Sequence, residues 1–163
     1  MRCRGVAKGI VFTLAIFADR LSKAWAMAVL SPLAERNILL NRIPQLCWDG
    51  VVRLRYAENT GMAFSMFSGG RWLLIAVTLL LLCGIVLYAW KNRPRGLAAW
   101  GITLILAGGV SNVFDRIAYG YVVDMIEPLF VRFAVFNLAD TWICVGVGLV
   151  LISAFSGGRK GVA

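Results

Sequence analysis

The chain has 163 residues, of which 60% are apolar and only 15% are charged, and its mean hydropathy is +0.79. This composition excludes an ordinary soluble domain. The absence of histidine excludes a Ser-His-Asp triad, a Cys-His pair and a histidine metal site. The 17 Lys and Arg outnumber the 8 Asp and Glu, for a net charge of +9. In so apolar a chain this excess favours a membrane partner over nucleic acid.

The first apolar segment covers about residues 9–30 and carries Asp19, Arg20 and Lys23. A basic N-terminus, an apolar run and then residues 24–26 (Ala-Trp-Ala) are also typical of a cleaved signal peptide. We favour a membrane-spanning helix, because the three charges lie where cleavage requires a neutral stretch.

The longer segment 31–71 follows, and its alternation over residues 51–56 predicts a small antiparallel sheet. Amphipathic residues 38–43 are expected to lie on the membrane surface. Three further spans are predicted at about 72–90, 97–114 and 134–156, each close to the roughly 20 residues that cross a bilayer. Residues 1–163 would thus form a single integral membrane domain with four spans. Its cysteines are scattered and form no CxxC motif, so we expect no disulfide framework, metal or cofactor.

Basic residues in the short connections predict the orientation of the chain. The N-terminus, the turn between the second and third spans and the tail hold eight basic residues and no acid. They are Arg2, Arg4, Lys8, Lys91, Arg93, Arg95, Arg159 and Lys160. We expect this side, with both termini, to be cytoplasmic. All eight acids then lie within the first span or toward the opposite face.

Polar residues in apolar segments are costly and indicate functional sites. Asp19 and Lys23 are i,i+4 neighbours, for which a local ion pair is the simpler explanation. Asn59 and Gly61 are typical of a turn, although an asparagine amide can also bind an extended peptide backbone.

A third polar cluster closes the third span. Gly108, Asn112 and Asp115 share one helical face, and Gly108 and Gly109 permit close helix packing. We expect Asp115 to be kept ionised by the adjacent Arg116 and to serve structure. Arg116 would face an anionic lipid or a peptide carbonyl.

Asp124 and Asp140 are the most informative acids, because each has apolar neighbours and no basic residue beside it. Asp140 shares a helix face with Asn137. The alternatives are a turn for Asp124 and a first-turn acid favoured by the helix dipole for Asp140. If the two carboxyls meet, burial and mutual repulsion leave one proton between them. Such a pair is the catalytic device of aspartic proteases and needs no histidine or metal.

Five motifs in this order resemble those of the lipoprotein signal peptidase family (bacterial signal peptidase II), over almost the whole chain. They are Asp19-x-x-Ser22-Lys23, Asn59-x-Gly61-x-Ala63-Phe64, Gly108-Gly109-x-x-Asn112-x-x-Asp115-Arg116, Gly120-x-Val122-Val123-Asp124 and Phe136-Asn137-x-Ala139-Asp140. Two departures are visible, because Met125 stands where an aromatic residue is more usual and Glu58 adds an acid beside Asn59.

The resemblance implies an aspartic endopeptidase that removes signal peptides from prolipoproteins, cutting before a diacylglyceryl-modified cysteine, with Asp124 and Asp140 as the dyad. It also implies a four-helix bundle in the bacterial cytoplasmic (inner) membrane, with a β-cradle, a surface helix and an active site near the extracytoplasmic face. The expected partners are the prolipoprotein, membrane lipids and a globomycin-type inhibitor. The residues expected to bind substrate are Asp19, Lys23, Asn59, Gly61, Asn112, Arg116 and Asn137, with structural support from Asp115, Gly108 and Gly109.

Two other functions are compatible with the residues alone. A peptidase could use Ser22 and Lys23, although adjacent helical residues point about 100° apart. Intramembrane acids also relay protons in small transporters and channels, although four spans without a repeat argue against a transporter. A purely structural scaffold would not need so many buried polar groups.

Overall fold

The computed structural model describes residues 2–32, 46–48, 50–61 and 70–157. Most of them lie in four long helices: α1 (Arg2–Trp25), α2 (Arg71–Asn92), α3 (Gly96–Ala118) and α4 (Leu138–Gly157). A π-helical turn, Ala26–Leu30, extends α1. The strands are β1 (Leu46–Trp48), β2 (Val52–Asn59) and β3 (Val122–Pro128).

Helix α3 lies at the centre of the bundle and packs against the other three helices. Its contact with α4 depends on glycine. A methyl group at Gly101 would clash with the backbone of Gly146, and one at Gly108 with the backbone of Ala139. The later residue of α3 thus contacts the earlier residue of α4, so the two helices are antiparallel.

Three described helices are long and apolar enough to cross a membrane: α2, α3 and α4. The 22 residues of α2 span about 33 Å at 1.5 Å per residue, enough for a hydrocarbon core of roughly 30 Å. Helix α1 is also long, but its charged residues keep it out of that set. The prediction of a mostly helical fold is therefore confirmed, with three described helices capable of crossing a membrane.

The ends of the helices differ from the predicted spans. Helix α1 begins at Arg2 rather than residue 9, and α4 begins at Leu138 rather than residue 134. The late start of α4 has a local cause: the backbone of Phe136 pairs with Ile126, accepting at 2.8 Å and donating at 2.9 Å. Phe136 therefore forms a bridge to β3 two residues before the helix starts.

The small antiparallel sheet is confirmed, in the order β1-β2-β3. The alternating segment forms β2, and its neighbour β3 comes from the second connection, over 60 residues away. Interpreting Asp124 as a turn residue was therefore wrong, because it lies within β3 and pairs with Ala57. Met125, the unusual residue beside it, fills a small core with Ala26, Leu30 and Val123. The predicted surface helix at 38–43 falls outside the described residues.

The molecule has two unlike ends. Buried ionisable and amide side chains lie where the second half of α1, the last turns of α3, strand β3 and the start of α4 meet, which we call the polar end. The opposite, basic end holds the start of α1, the α2–α3 turn and the end of α4. The helices between them expose large apolar side chains outward, the reverse of a soluble protein.

Candidate active site

Strand β3 places Asp124 in the interior of the polar end, where it is only 2% exposed. Its Oδ1 accepts a hydrogen bond from the Asn137 amide at 2.6 Å, and its Oδ2 accepts one from the Asn59 amide at 2.9 Å. Burial and, second, the negative charge of Asp140 raise the pKa of Asp124 from its ordinary 3.8 to about 6. Those two amides oppose the shift by favouring the ionised form.

Asp140 lies in the first turn of α4, where Asn137 caps the helix. The Asn137 Oδ1 accepts from the Asp140 N–H at 3.0 Å, and the Asp140 Oδ2 accepts from the Asn137 N–H at 3.3 Å. This reciprocal pair is a capping box. The other carboxylate oxygen, Oδ1, accepts from the Asn112 amide at 2.8 Å.

The two aspartates belong to one hydrogen-bonded network. Asn137 is fully buried and contacts both carboxyl groups, through its amide to Asp124 and through the helix cap to Asp140. Asn112 joins the same network, because its Oδ1 accepts from the Asn137 amide at 3.3 Å. One asparagine thus fixes the relative position of the two acids.

A buried charge cluster lies behind this network. The Lys23 ammonium is 2.8 Å from an oxygen of Asp19 and 2.8 Å from one of Asp115, and it donates to the Asn112 Oδ1 at 3.0 Å. Its three protons therefore have three acceptors. The predicted Asp19–Lys23 ion pair is present, but as part of an arrangement between helices.

Asp19 also accepts two bonds that the sequence did not reveal. Its Oδ2 accepts from the Ser111 hydroxyl at 2.6 Å, and its Oδ1 accepts from the Ala139 backbone N–H at 2.8 Å. Ala139 lies in the first turn of α4, whose N–H groups have no partner within the helix. Asp19 therefore joins α1 to the start of the helix that carries Asp140. Ser111 could have been found as a polar residue within an apolar span.

The expected partner of Asp115 was wrong. Asp115 is fully buried and pairs with Arg20 and Lys23 of α1, not with the adjacent Arg116. Arg116 turns away and donates to the Gly61 carbonyl at 3.1 Å. Its buried Nε has no hydrogen-bond partner among the described residues.

Asn59 makes the predicted turn and, in addition, a contact with Asp124 that the sequence did not predict. Its Oδ1 accepts from the Gly61 N–H at 3.1 Å, which makes a local turn, while its amide donates to Asp124. The turn after β2 thus also positions an aspartate. Residues 62–64 of this motif fall outside the described residues.

The two glycines of α3 allow close helix contact, as predicted. A methyl group at Gly108 would clash with the Ala139 carbonyl, and one at Gly109 would lie 2.6 Å from a Leu82 methyl. Gly108 is thus packed one residue from Asp140. In all, the structure brings together Asp19, Lys23, Asn59, Gly61, Asn112, Asp115, Arg116, Asp124, Asn137 and Asp140 at the polar end.

Known proteins are similar to this chain in sequence and in fold. A family model described as signal peptidase (SPase) II matches residues 11–156. The lipoprotein signal peptidase of Clostridium acetobutylicum is 37% identical over 150 residues, covering 90% of each chain. That of Lactococcus lactis subsp. lactis (strain IL1403) is 35% identical over 144 residues, covering 88% of this chain and 90% of its own.

Two solved structures, each titled a bacterial membrane enzyme, have the same fold. Their TM-scores are 0.78 and 0.71, at 21% and 22% sequence identity. They cover 96% and 91% of this chain, and this chain covers 92% of each of them. The match of the family model over most of the chain, together with relatives above 30% identity, shows that this membrane protein belongs to the signal peptidase II family of proteases.

Proposed function

We propose that the protein is an aspartic endopeptidase that removes signal peptides from diacylglyceryl-modified prolipoproteins, cutting before the lipidated cysteine. Asp124 and Asp140 are the catalytic pair. The observation that carries this proposal is that both carboxyls belong to one partly buried hydrogen-bonded network joined by Asn137. The names of the curated relatives support the lipoprotein substrate.

The surroundings of the two acids support different protonation states. Burial and the charge of Asp140 raise the pKa of Asp124 to about 6, so Asp124 takes up the proton of the pair more readily than an ordinary carboxyl, and in its protonated form it donates a hydrogen bond to the scissile carbonyl. Asp140 lies in the first turn of α4, where the helix dipole favours negative charge, and is the ionised partner. Asp140 takes a proton from water as the water attacks the carbonyl carbon. Asp140 then gives this proton to the departing nitrogen as the C–N bond breaks, and the carbonyl re-forms by returning a proton to Asp124.

The peptide is held by groups beside the pair. Arg116 already donates to one backbone carbonyl, that of Gly61, and its Nε, which has no partner within the described part of the chain, offers a further donor. Asn59 and Gly61 form the turn that places an amide beside Asp124. A globomycin-type cyclic peptide, whose backbone offers the same acceptors, would occupy this site in competition with substrate.

Helix α1 is proposed as the fourth membrane span. Its polar side chains Asp19 and Lys23 face inward, at 0% and 2% exposure. Its exposed apolar residues recur at helical spacing along the opposite face: Val6, Ile10, Leu14, Phe17 and Leu21. A helix whose charged side chains are buried against the bundle and whose outer face carries a stripe of apolar side chains is suited to a lipid environment.

The distribution of charge supports an orientation in the bacterial inner membrane. The basic end would lie in the cytoplasm with both termini, following the preference of Lys and Arg for that side. The polar end, with its β-cradle, would lie at the extracytoplasmic face. A lipidated cysteine stays in the bilayer, so its peptide bond would lie near the depth of Asp124 and Asp140.

The catalytic pair is tested by measuring cleavage of a lipidated prolipoprotein by purified Asp124→Asn and Asp140→Asn proteins. Each is expected to fold, to bind a globomycin-type peptide and to lose cleavage. Glu127→Gln is the matched control, because Glu127 lies on the same strand as Asp124 and pairs outward with Arg53. Full activity of either aspartate variant would refute the mechanism.

The Asp115→Asn variant distinguishes a structural role of an aspartate at the polar end from a catalytic one. Asp115 pairs with Arg20 and Lys23 and accepts a hydrogen bond from the Val123 backbone N–H at 3.5 Å, so its loss is expected to lower stability rather than remove a reacting group. A stable Asp115→Asn protein that binds substrate and does not cleave would count against the assignment.

The geometry disfavours a catalytic Ser22 and Lys23. The Ser22 hydroxyl donates to the Asp19 backbone carbonyl at 2.9 Å, and every proton of Lys23 already has an acceptor. Ser22→Ala is therefore expected to keep its cleavage activity.

A further inference from the structure

A groove opens on the side of the bundle at the basic end, far from the aspartates. It lies between α1 and α2, with α3 as its floor, and encloses about 890 Å³. Its size falls within the range of roughly 300–1,000 Å³ typical of small-molecule sites. Its walls include Lys8, Arg93, Arg95, Ala99, Trp100 and Thr103.

The groove combines a cationic rim with an apolar interior. Lys8 of α1 and the two arginines of the α2–α3 turn supply three positive charges, while most of the remaining surface is hydrocarbon. Residues 1–18, 59–114 and 141–163 contain no Asp or Glu at all. None of the three helix segments at this end can therefore supply an acid to pair with these cations.

One of these cations, Arg93, has an unfavourable backbone conformation in the α2–α3 turn. Arg93 ends α2 in the left-handed conformation, with φ of 46° and ψ of 56°. Glycine is the usual residue there, and a side chain in that region costs of order 1 kcal/mol. The position nevertheless carries a guanidinium, which lines the groove beside Arg95.

We propose that this groove binds an anionic phospholipid of the leaflet at the basic end. The headgroup phosphate would contact Lys8, Arg93 and Arg95, and an acyl chain would lie over Ala99 and Thr103 toward the bilayer centre. Arginine suits phosphate because its fork of N–H donors can bind two oxygens at once.

Charge complementarity selects this occupant over two others. A signal peptide begins with a positively charged region, which the groove would repel. A second copy of this chain would present the same basic end and would be repelled as well. A phospholipid with a net negative headgroup matches both the rim and the interior.

The test is native mass spectrometry of the full chain in detergent, titrated with phosphatidylglycerol or with phosphatidylcholine of the same acyl chains. Wild type is expected to retain one phosphatidylglycerol preferentially. Lys8→Gln combined with Arg93→Gln removes two rim charges, and binding is expected to weaken about thirtyfold, at roughly a factor of five per charge. Lys91→Gln removes an exposed cation at the same end that does not line the groove, and it is expected to bind like wild type.

Two further measurements distinguish the contribution of the lipid headgroup from that of the acyl chains. Glycerol phosphate alone is expected not to displace the lipid, and Ala89→Trp, which narrows the groove with every charge kept, is expected to weaken binding. Equal retention of phosphatidylcholine, or an equal loss of binding in the rim variant and in Lys91→Gln, would overturn the proposal. Asp124→Asn is expected to bind the lipid normally, so the outcome does not depend on the proposed catalytic pair.

Discussion

Lys23 donates to the Oδ1 of Asn112 at 3.0 Å, and this contact orients the amide that faces Asp140. A lysine ammonium has no acceptor, so only the oxygen of the amide can lie toward it. The Asn112 Nδ2 must then point the other way, where it donates to the Asp140 Oδ1 at 2.8 Å. The buried charge cluster thereby positions Asp140, a residue of the proposed catalytic pair.

Lys23→Met is expected to destabilise the protein strongly. It leaves Asp19 and Asp115 buried, with Arg20 as their remaining cation. Breaking a buried pair by removing one partner typically costs about 3–5 kcal/mol. Thermal unfolding in detergent would measure the loss. Lys91→Met, at the exposed end of α2, removes the same group and is expected to change the melting temperature little.

A double variant tests whether that loss arises from unpaired charge. Adding Asp115→Asn to Lys23→Met removes one of the two buried carboxylates that have lost the lysine as an ion-pair partner. The double variant is therefore expected to be less destabilised than the sum of the two single variants. Additive losses would mean that the two side chains do not interact energetically.

Asn112→Leu is expected to reduce kcat while substrate binding is largely kept. The change removes the donor to Asp140 but leaves both aspartates in place. Groups that orient a reacting residue typically contribute about 10- to 100-fold. The measurements are kcat and KM for a lipidated prolipoprotein, together with binding of a globomycin-type peptide.

Thr103→Val is the matched control for Asn112→Leu. It lies on the same helix, and its hydroxyl donates only to the Ala99 carbonyl one turn away. It is expected to cleave like wild type. A rise in KM with unchanged kcat in Asn112→Leu would indicate that Asn112 binds substrate and does not position Asp140.

The sequence predicted the helices well, because long apolar runs have few alternatives to a membrane helix. It also singled out Asp124 and Asp140 by their apolar neighbours. It could not show that β3 pairs with β2, since strands so distant in sequence meet only through the tertiary fold. The short connection therefore resembled a turn.

The prediction that Asp115 pairs with Arg116 failed for a related reason. Arg116 is adjacent in sequence, but neighbouring residues on a helix point about 100° apart. The cations that meet Asp115 come from α1, over 90 residues away. Periodicity places Asp115 on the inner face of α3, and only helix packing determines which residue of which helix it meets.

Asp124→Asn is expected to gain stability relative to wild type as pH rises. The pKa of Asp124 is raised from 3.8 to about 6, so the folded protein binds this proton more tightly than the unfolded chain. Its contribution to stability is complete below pH 3.8 and is lost as pH rises through about 6. The Asp124→Asn protein has no carboxyl to ionise at this position, so it avoids this loss of folding stability, which amounts to roughly 3 kcal/mol. Melting temperatures at pH 4 and pH 7.5 would measure it.

Glu127→Gln should show the opposite sign. A hydrogen bond from Arg53 lowers the pKa of the Glu127 carboxyl, so this residue stabilises the fold above its ordinary pKa of 4.5 and loses that contribution as pH falls. The variant should therefore lose stability relative to wild type at pH 7.5 more than at pH 4. Parallel pH trends in the two variants would contradict the burial of Asp124.

Gly108→Ala is expected to impair both stability and cleavage. The added methyl would clash with the Ala139 carbonyl and lie 2.8 Å from a side-chain carbon of Ile143, so α3 and α4 must separate. Overpacking of this kind typically costs about 1–3 kcal/mol. It also moves the start of α4 away from Asn112, which lengthens the hydrogen bond to Asp140. Gly148→Ala on α4 meets no atom within 4 Å and is the matched control. It is expected to retain wild-type melting temperature and cleavage, and equal effects of the two substitutions would rule out close packing at Gly108 as the cause.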